Sequence, residues 1–197
     1  MISIPLVRRE LTSDVVGRHI YQFGAGSAPI QTLQRLADRA AQHGTVVLAE
    51  ADGGQLDAAV LFRPQLPRSA VPLFAVISTL AAAEAIGRLD ACASPVWPDQ
   101  VTIGDETIAR SLVAFPAAFD RTSYVILGVE LNVPALEARL PGPIDWNVVV
   151  AAFLNALDKW AMAYAEHGPA AVRAALQFLP RGSMPTSRAR ENALLNG

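Results

Sequence analysis

Pairs of short β-forming runs joined by tight polar turns are the feature that most limits how this chain can fold. The first pair is TVVLAEA at 45–51 and DAAVLFRP at 57–64, with DGGQL between them. The second pair spans 101–115 and turns at Gly104-Asp105, and a third β-forming run, SYVILGVELNV, follows at 123–133. Such short links join antiparallel neighbours, because a parallel pair needs a crossover of about a dozen or more residues. The pattern therefore predicts a mainly antiparallel sheet.

Helical patterns separate these strand groups. The first helix is predicted to begin with a Ser27 cap and Pro29 in its first turn. The second is apolar on nearly all sides, as expected of a helix that is buried against a sheet, and the third is capped by Asp145. Helices are predicted over 27–44, 69–89, 145–168 and 169–179.

The order of these elements predicts the fold class. It is α, β, β, α, β, β, β, α, α, preceded by an edge strand that loose alternation predicts at 3–10. Residues 134–143 are predicted to be a proline-bounded loop. We expect an α+β fold, a mixed, mainly antiparallel β-sheet flanked by helices. A single domain is expected over 1–179, and a mobile C-terminal tail over 180–197.

Composition excludes several classes of function. The net charge of −2 supplies no basic face for nucleic acid. No stretch of about 18 apolar residues without breakers or charges occurs, so no membrane span is expected. The start lacks the order of a secretory signal, and the single cysteine, Cys92, cannot form an internal disulfide, which predicts a cytoplasmic protein. The sequence has fifteen arginines and one lysine, Lys159. A mechanism that needs a lysine must use Lys159 or do without one.

Several segments in this order resemble the catalytic domain of biotin protein ligases and lipoate protein ligases. The resemblance covers residues 20–178 and rests on GTVVLAEA, AAVLFRP, WPDQVTIGDETIARSLVAF, YVILGVELNV and LDKWAMAYAEHG. The corresponding family motifs are Lys-Trp-Pro-Asn-Asp, a Lys-hydrophobic-Ala-Gly-hydrophobic-Leu strand, and Gly-hydrophobic-Gly-hydrophobic-Asn. The resemblance implies the fold of the class II synthetase and biotin protein ligase catalytic domain.

The resemblance also implies a chemistry. Family members activate a carboxylic acid with ATP as an acyl-adenylate and transfer it to a lysine of a carrier domain. It therefore implies ATP and biotin or lipoate as ligands, and a carrier domain or other protein as partner. This reaction needs cations to offset phosphate charge and glycines where the backbone approaches a ligand.

The sequence departs from the family at the positions that carry this chemistry. Val96 and Thr107 stand where the family has lysines, and Arg110 and Glu130 stand where it has glycines. The short DGGQLD replaces the Gly/Arg-rich loop that follows the first strand. These departures therefore predict a divergent member that forms no adenylate.

The ligand-binding candidates are the residues that match the family motifs or replace their members, and each has a structural alternative. Trp97 with Pro98 fits a packed loop, Asp99 a solvated carboxylate, and Asn132 a turn. No catalytic residue is assigned, and the isolated histidines predict no metal site. The candidates are Trp97, Pro98, Asp99, Arg110, Gly128, Glu130 and Asn132.

Arg110 and Glu130 are the most informative substitutions. An arginine that faces the cleft would bind a carboxylate or phosphate through its planar guanidinium, whereas one that points outward is a surface charge. Glu130 is unusual in a β-forming run, and we predict that it pairs with Arg110 and fills the former nucleotide site. An open pocket would favour ligand binding or catalysis, and a filled cleft would favour a structural role.

Three functions follow from the sequence. The leading one is a divergent protein of this ligase type that forms no adenylate and acts as a small-ligand or protein-binding module. The first alternative is an active ligase or acyltransferase that uses Arg110 and Arg63 in place of the lysines. The second alternative is a structural subunit of a complex, and a homodimer is a further expectation.

Overall fold

One mixed sheet of seven strands organises the part of the chain that the structure describes. This part of the computed structural model comprises residues 2–24, 26–51, 54–64, 66–89, 92–96, 98–116 and 121–177. The strands are β1 (Ile20–Phe23), β2 (Val46–Ala51), β3 (Gln55–Phe62), β4 (Leu66–Pro67), β5 (Ala93–Val96), β6 (Gln100–Ile103), β7 (Glu106–Ala114), β8 (Arg121–Thr122) and β9 (Val125–Asn132). The sheet order is β1-β2-β3-β9-β7-β6-β5, and β4 pairs with β8 separately.

The strand directions agree with the prediction from the turns. β1 is parallel to β2, and the other neighbours in the large sheet are antiparallel. The β2–β3 and β6–β7 hairpins are confirmed, and β7 also pairs with β9 as expected. The α+β class is therefore confirmed.

Helices cover the two faces of the sheet unequally. The helices are α1 (Ile4–Glu10), α2 (Pro29–Asp38), α3 (Val71–Gly87, after a 3-10 turn at Arg68–Ala70), α4 (Val133–Arg139), α5 (Trp146–His167) and α6 (Pro169–Gln177). The main core lies on one face, where α3 contacts β7 and β9 and α5 contacts α3, α1 and α6. A smaller core lies on the opposite face, which we call the α2 face, where α2 packs on β2, β3 and β9.

The N-terminal segment corrects the sequence prediction. Residues 3–10 were predicted as an edge strand, but Ile4–Glu10 form α1. Pro5 suits the first turn of a helix, and Val7 is fully buried where α1 packs on α5. The backbone N–H of Ser3 donates to Asn147 Oδ1 at 2.7 Å, which ties the segment to α5. Packing against a distant helix thus overrode a short and ambiguous alternation.

The remaining differences concern boundaries and short elements. Residues 134–143 were predicted as a loop, but Val133–Arg139 form α4, in which Pro134 occupies the first turn. The cap of α2 is Ala28 rather than Ser27, and α2 ends at Asp38. β1 and β5 were not predicted, because four residues each are too few for a clear period. The predicted tail at 180–197 lies outside the described residues.

The helix α5 is long and apolar enough to cross a membrane by length and composition. In the structure, many of its apolar side chains are buried in the main core. Val149, Val150 and Phe153 are at most 1% exposed, and α5 contacts α3 and α1. A core helix passes the same test of length and composition.

Candidate ligand site on the α2 face

The α2 face is covered over only part of its width. Leu33 and Ala37 of α2 pack on Val47, Ala59 and Leu61 of β2 and β3. On this face, the part of the sheet beyond the N-terminus of α2 carries polar side chains. This arrangement leaves a cleft between the start of α2 and the strands β3, β9 and β7.

A row of polar residues crosses the sheet at this cleft. Gln100 is paired in register with Arg110, Arg110 with Glu130, and Glu130 with Asp57. Residues directly opposite each other on neighbouring strands point to the same face. Four polar side chains from β6, β7, β9 and β3 therefore lie side by side on the α2 face.

Two adjoining cavities show that the cleft is open. One has a volume of about 140 Å³ and lies between the first turn of α2 and the strands, with Ile30, Asp57, Leu112 and Glu130 among its lining residues. The second has a volume of about 250 Å³ and is lined by Gln55, Thr107, Ile108, Ala109, Arg110, Glu130 and Asn132. Glu130 belongs to both linings, so it stands at the boundary between the two cavities.

Asp57 and Glu130 form a pair of like charges in this cleft. Asp57 Oδ1 is buried and has no hydrogen-bond partner among the described residues. Burial, and then the neighbouring Glu130 carboxylate, raise the pKa of Asp57 from 3.8 to about 6. Asp57 is therefore mainly ionised at neutral pH, and its carboxylate lies next to that of Glu130 at the centre of the cleft.

The predicted pairing of Glu130 with Arg110 is wrong. The two residues are cross-strand neighbours, but Arg110 is exposed. The ion pairs between described residues within 4.0 Å do not include Arg110 with Glu130. An exposed arginine loses side-chain entropy when it is held in one geometry and gains little from a screened partner. The guanidinium therefore does not fill the cleft.

The comparisons with known proteins can now be set beside this geometry. In a search of protein-family models, none matches the chain. The bifunctional ligase/repressor BirA of Bacillus subtilis is 23% identical over 143 residues, which are 64% of this chain and 44% of that protein. The BirA of Bacillus spizizenii matches to the same extent. The chain thus spans less than half the length of the curated relatives that it matches.

Solved structures give a fuller match. A biotin protein ligase-like protein of unknown function from Silicibacter sp. TM1040 superimposes with a TM-score of 0.72 at 16% identity, covering 83% of this chain and 78% of the other. The chain has the fold of biotin protein ligases. The biotin protein ligase of Aquifex aeolicus gives 0.60 at 16% identity, covering 76% and 71%. The enzyme of Leishmania major in complex with biotinyl-5-AMP gives 0.61 at 14% identity, covering 87% and 85%. The resemblance predicted from the sequence is confirmed.

The remaining candidate residues of this biotin protein ligase-like chain have varied surroundings. Trp97 lies outside the described residues. Pro98 is exposed and its carbonyl accepts a hydrogen bond from Thr79, while the Asp99 carbonyl accepts one from the N–H of Ser111. These two contacts hold the backbone between β5 and β6 in place, and the side chains of Pro98 and Asp99 take no part in them.

The contacts of Gly128 and Asn132 explain why these residue types occur at their positions. A Cβ on Gly128 would lie 3.1 Å from the Ala58 carbonyl oxygen and 3.2 Å from Ile30 Cδ1, so the glycine allows α2 to approach the sheet. Asn132 caps α4, because its Oδ1 accepts a hydrogen bond from Ala135 N at 3.1 Å. The turn interpretation of Asn132 is thus supported, although its side chain also lines the larger cavity.

Of the three cations considered for the ligase reaction, only Arg110 stands at this cleft. Lys159 lies on α5 and pairs with Glu84. The Arg63 guanidinium donates to the carbonyls of Ala37 and Ala41 at 2.8 Å each. Arg63 follows the end of β3, and at a strand rise of about 3.3 Å per residue it lies about 20 Å from Asp57. Arg110 alone joins the polar row as a cation, beside two carboxylates.

Sequence reasoning missed Asp57. The signal was available, because an acidic residue in the apolar run LDAAVLF is as unusual as Glu130 in its own run. The pairing of β3 with β9 is what brings the two acids together. No group of three or more His, Cys, Asp or Glu side chains within the described ranges is arranged to hold a metal ion.

Proposed function

We propose that this biotin protein ligase-like protein binds a small ligand on the open part of the α2 face and forms no acyl-adenylate. The observation that carries the proposal is the register pairing of Asp57 with Glu130 at the centre of the cleft. Two adjacent carboxylates repel a polyphosphate where phosphoryl transfer needs positive charge. The single arginine of the polar row is exposed, and it offsets only part of that repulsion.

The chemistry of the cleft favours a ligand that offers N–H groups. A buried carboxylate oxygen without a donor, such as Asp57 Oδ1, carries a desolvation cost that a ligand N–H would remove. Ile30 and Leu112 add apolar surface beside the carboxylates. An uncharged molecule with a ureido or amide group and a short apolar chain fits both features.

The first test addresses adenylate formation. Purified protein with ATP and biotin, lipoate or octanoate should show no acid-dependent pyrophosphate exchange above background. The loss of one well-placed charge-stabilising donor costs about 10²–10³ in rate, and two lysines are replaced here. Exchange that depends on one of these acids and disappears in Arg110→Ala would instead establish the active ligase that uses arginine.

The second test addresses the ligand. Biotin and biotinamide are titrated against protein with a labelled Ile30 Cδ1 methyl group, which lies over Gly128 at the edge of the cleft. We expect biotinamide to bind roughly 3- to 10-fold more tightly than biotin, because the acid is repelled by Asp57 and Glu130. Glu130→Gln should reduce this preference.

A matched control distinguishes an effect of the cleft carboxylates from an effect of the net charge of the protein. Glu106→Gln removes a carboxylate that pairs with Arg139 on the surface, and it should leave the preference for biotinamide unchanged. If neither compound moves the Ile30 resonance, small-ligand binding of this kind is wrong and a structural role takes its place.

The proposal also covers the binding partners of the protein and its location in the cell. A carrier domain or another protein segment with N–H groups and little negative charge would suit the same cleft, and a homodimer is retained as an expectation. We propose a cytoplasmic location without nucleic-acid or membrane binding. Light scattering across a concentration series tests the homodimer, and cell fractionation tests the location.

A further inference from the structure

A separate cavity lies on the opposite side of the sheet from the cleft, where α5 passes the end of β3. Its volume is about 520 Å³, within the range of about 300–1,000 Å³ that is usual for small-molecule sites. Its lining is mainly apolar and comprises His43, Phe62, Pro64, Phe74, Asp158, Ala161, Met162, Tyr164, Ala165 and Gly168.

The sequence of α5 explains why this space is left open. Asp158, Ala161, Met162 and Ala165 stand at i, i+3, i+4 and i+7 and therefore share one side of the helix. Two of these four are alanines, whose small side chains do not fill the gap towards Phe62. Met162 is 55% exposed and stands at the rim.

The floor of the cavity is aromatic and buried. Phe62 and Phe74 are each 2% exposed, and Tyr164 is 8% exposed. The rings of Phe74 and Tyr164 meet edge to face at 5.1 Å between centroids. The Tyr164 hydroxyl makes no hydrogen bond with another described residue, so a donor and acceptor group remains available at the cavity.

The wall of the cavity carries one uncompensated negative charge. Asp158 forms no ion pair within 4.0 Å with another described residue. The nearby Arg63 guanidinium donates to the Ala37 and Ala41 carbonyls, and Lys159 pairs with Glu84.

His43 does not balance the charge of Asp158. Partial burial lowers the pKa of His43, the Asp158 carboxylate opposes that shift, and Arg63 adds to it. Nδ1 of His43 accepts a hydrogen bond from Arg63 N at 3.2 Å, and its ring meets Phe62 edge to face. The imidazole is therefore neutral at neutral pH and acts as part of the rim.

We propose that this cavity binds a small apolar molecule that carries one ammonium group. Aromatic floor rings accept an apolar body and also attract a cation. Asp158 supplies the opposite charge, and the Tyr164 hydroxyl supplies a hydrogen-bond acceptor. A carboxylate-bearing ligand would meet the charge of Asp158 without a cation to receive it.

The test compares three probes of similar shape: tryptamine, uncharged 3-ethylindole and anionic indole-3-propionate. The readout is the labelled methyl resonance of Met162, assigned with Met162→Leu. Tryptamine should bind with a Kd of about 1 mM or tighter, as expected for a ligand of this size. It should bind about 10-fold more tightly than 3-ethylindole and at least about 30-fold more tightly than indole-3-propionate.

Variants of the lining residues test whether the probe binds in the cavity. Asp158→Asn should bring the affinity for tryptamine to within about 2-fold of that for 3-ethylindole, because the charge is lost while the shape is kept. Ala161→Leu should fill the space and weaken tryptamine at least about 10-fold, whereas Ala163→Leu, on the same helix but outside the lining, should not. The thermal midpoint of each variant shows that it is folded.

Several outcomes would overturn the proposal. These are the absence of a Met162 shift up to about 10 mM tryptamine, equal binding of amine and acid, or an affinity that is unchanged in Asp158→Asn. Tight binding of indole-3-propionate would show that the cavity takes anions and that the charge argument is wrong.

Discussion

Replacement of Asp57 by asparagine should stabilise the protein, and the gain should grow as the pH rises from about 4 to about 7. The pKa of Asp57 is raised from 3.8 to about 6, first by burial and then by Glu130. The folded state therefore holds this proton over a range in which the unfolded state has lost it. Stability falls as the pH rises through that window, and the full penalty is present above about pH 7.

The size of the effect follows from the same values. A rise from 3.8 to about 6 corresponds to about 3 kcal/mol in the free energy of unfolding if the carboxylate were fully shielded from water. Asp57 is only partly withdrawn from solvent, and screening reduces this value. We expect Asp57→Asn to raise the free energy of unfolding by about 1–2 kcal/mol at about pH 8 and by almost nothing at about pH 4.

Urea unfolding from about pH 4 to about pH 8 measures this difference directly. Glu130→Gln should give a smaller gain with the same pH dependence, since Glu130 is the second cause of the shift. Asp14→Asn is the matched control, because Asp14 is exposed, and it should show no such pH-dependent gain. A gain of equal size at all pH values, or a loss of stability at about pH 8, would refute the electrostatic explanation.

Three further substitutions test the surroundings of the cleft. Gly128→Val should lower the free energy of unfolding by about 1–3 kcal/mol through overpacking against Ile30, and Ile30→Ala in the same chain should recover part of the loss in urea unfolding. Asn132→Ala removes the cap of α4 and should cost about 0.5–2 kcal/mol, whereas Asn132→Asp should retain most of the stability. Thr79→Val breaks the buried contacts of the Thr79 hydroxyl with the Pro98 carbonyl and Ser111 and should cost about 1–3 kcal/mol, with Thr79→Ser restoring part of it.

Much of the fold was accessible from local patterns. Turn chemistry and strand length predicted the β2–β3 and β6–β7 hairpins, and the apolar character of α3 predicted a buried helix. The predicted neighbours β7 and β9 are also neighbours in the sheet. These features depend on residues that are close in sequence, where alternation and turn preference act directly.

The sequence by itself also determined which charged side chains are present. It has one lysine, and it has Thr107 and Val96 where the resemblance to the ligases implies lysines and Glu130 where it implies a glycine. Only the tertiary structure decided that Glu130 stands beside Asp57 and that Arg110 is exposed. It also decided that 3–10 is a helix, because that segment packs on α5. Strand order and the coverage of each sheet face depend on contacts between segments far apart in the chain, and no local period encodes those contacts.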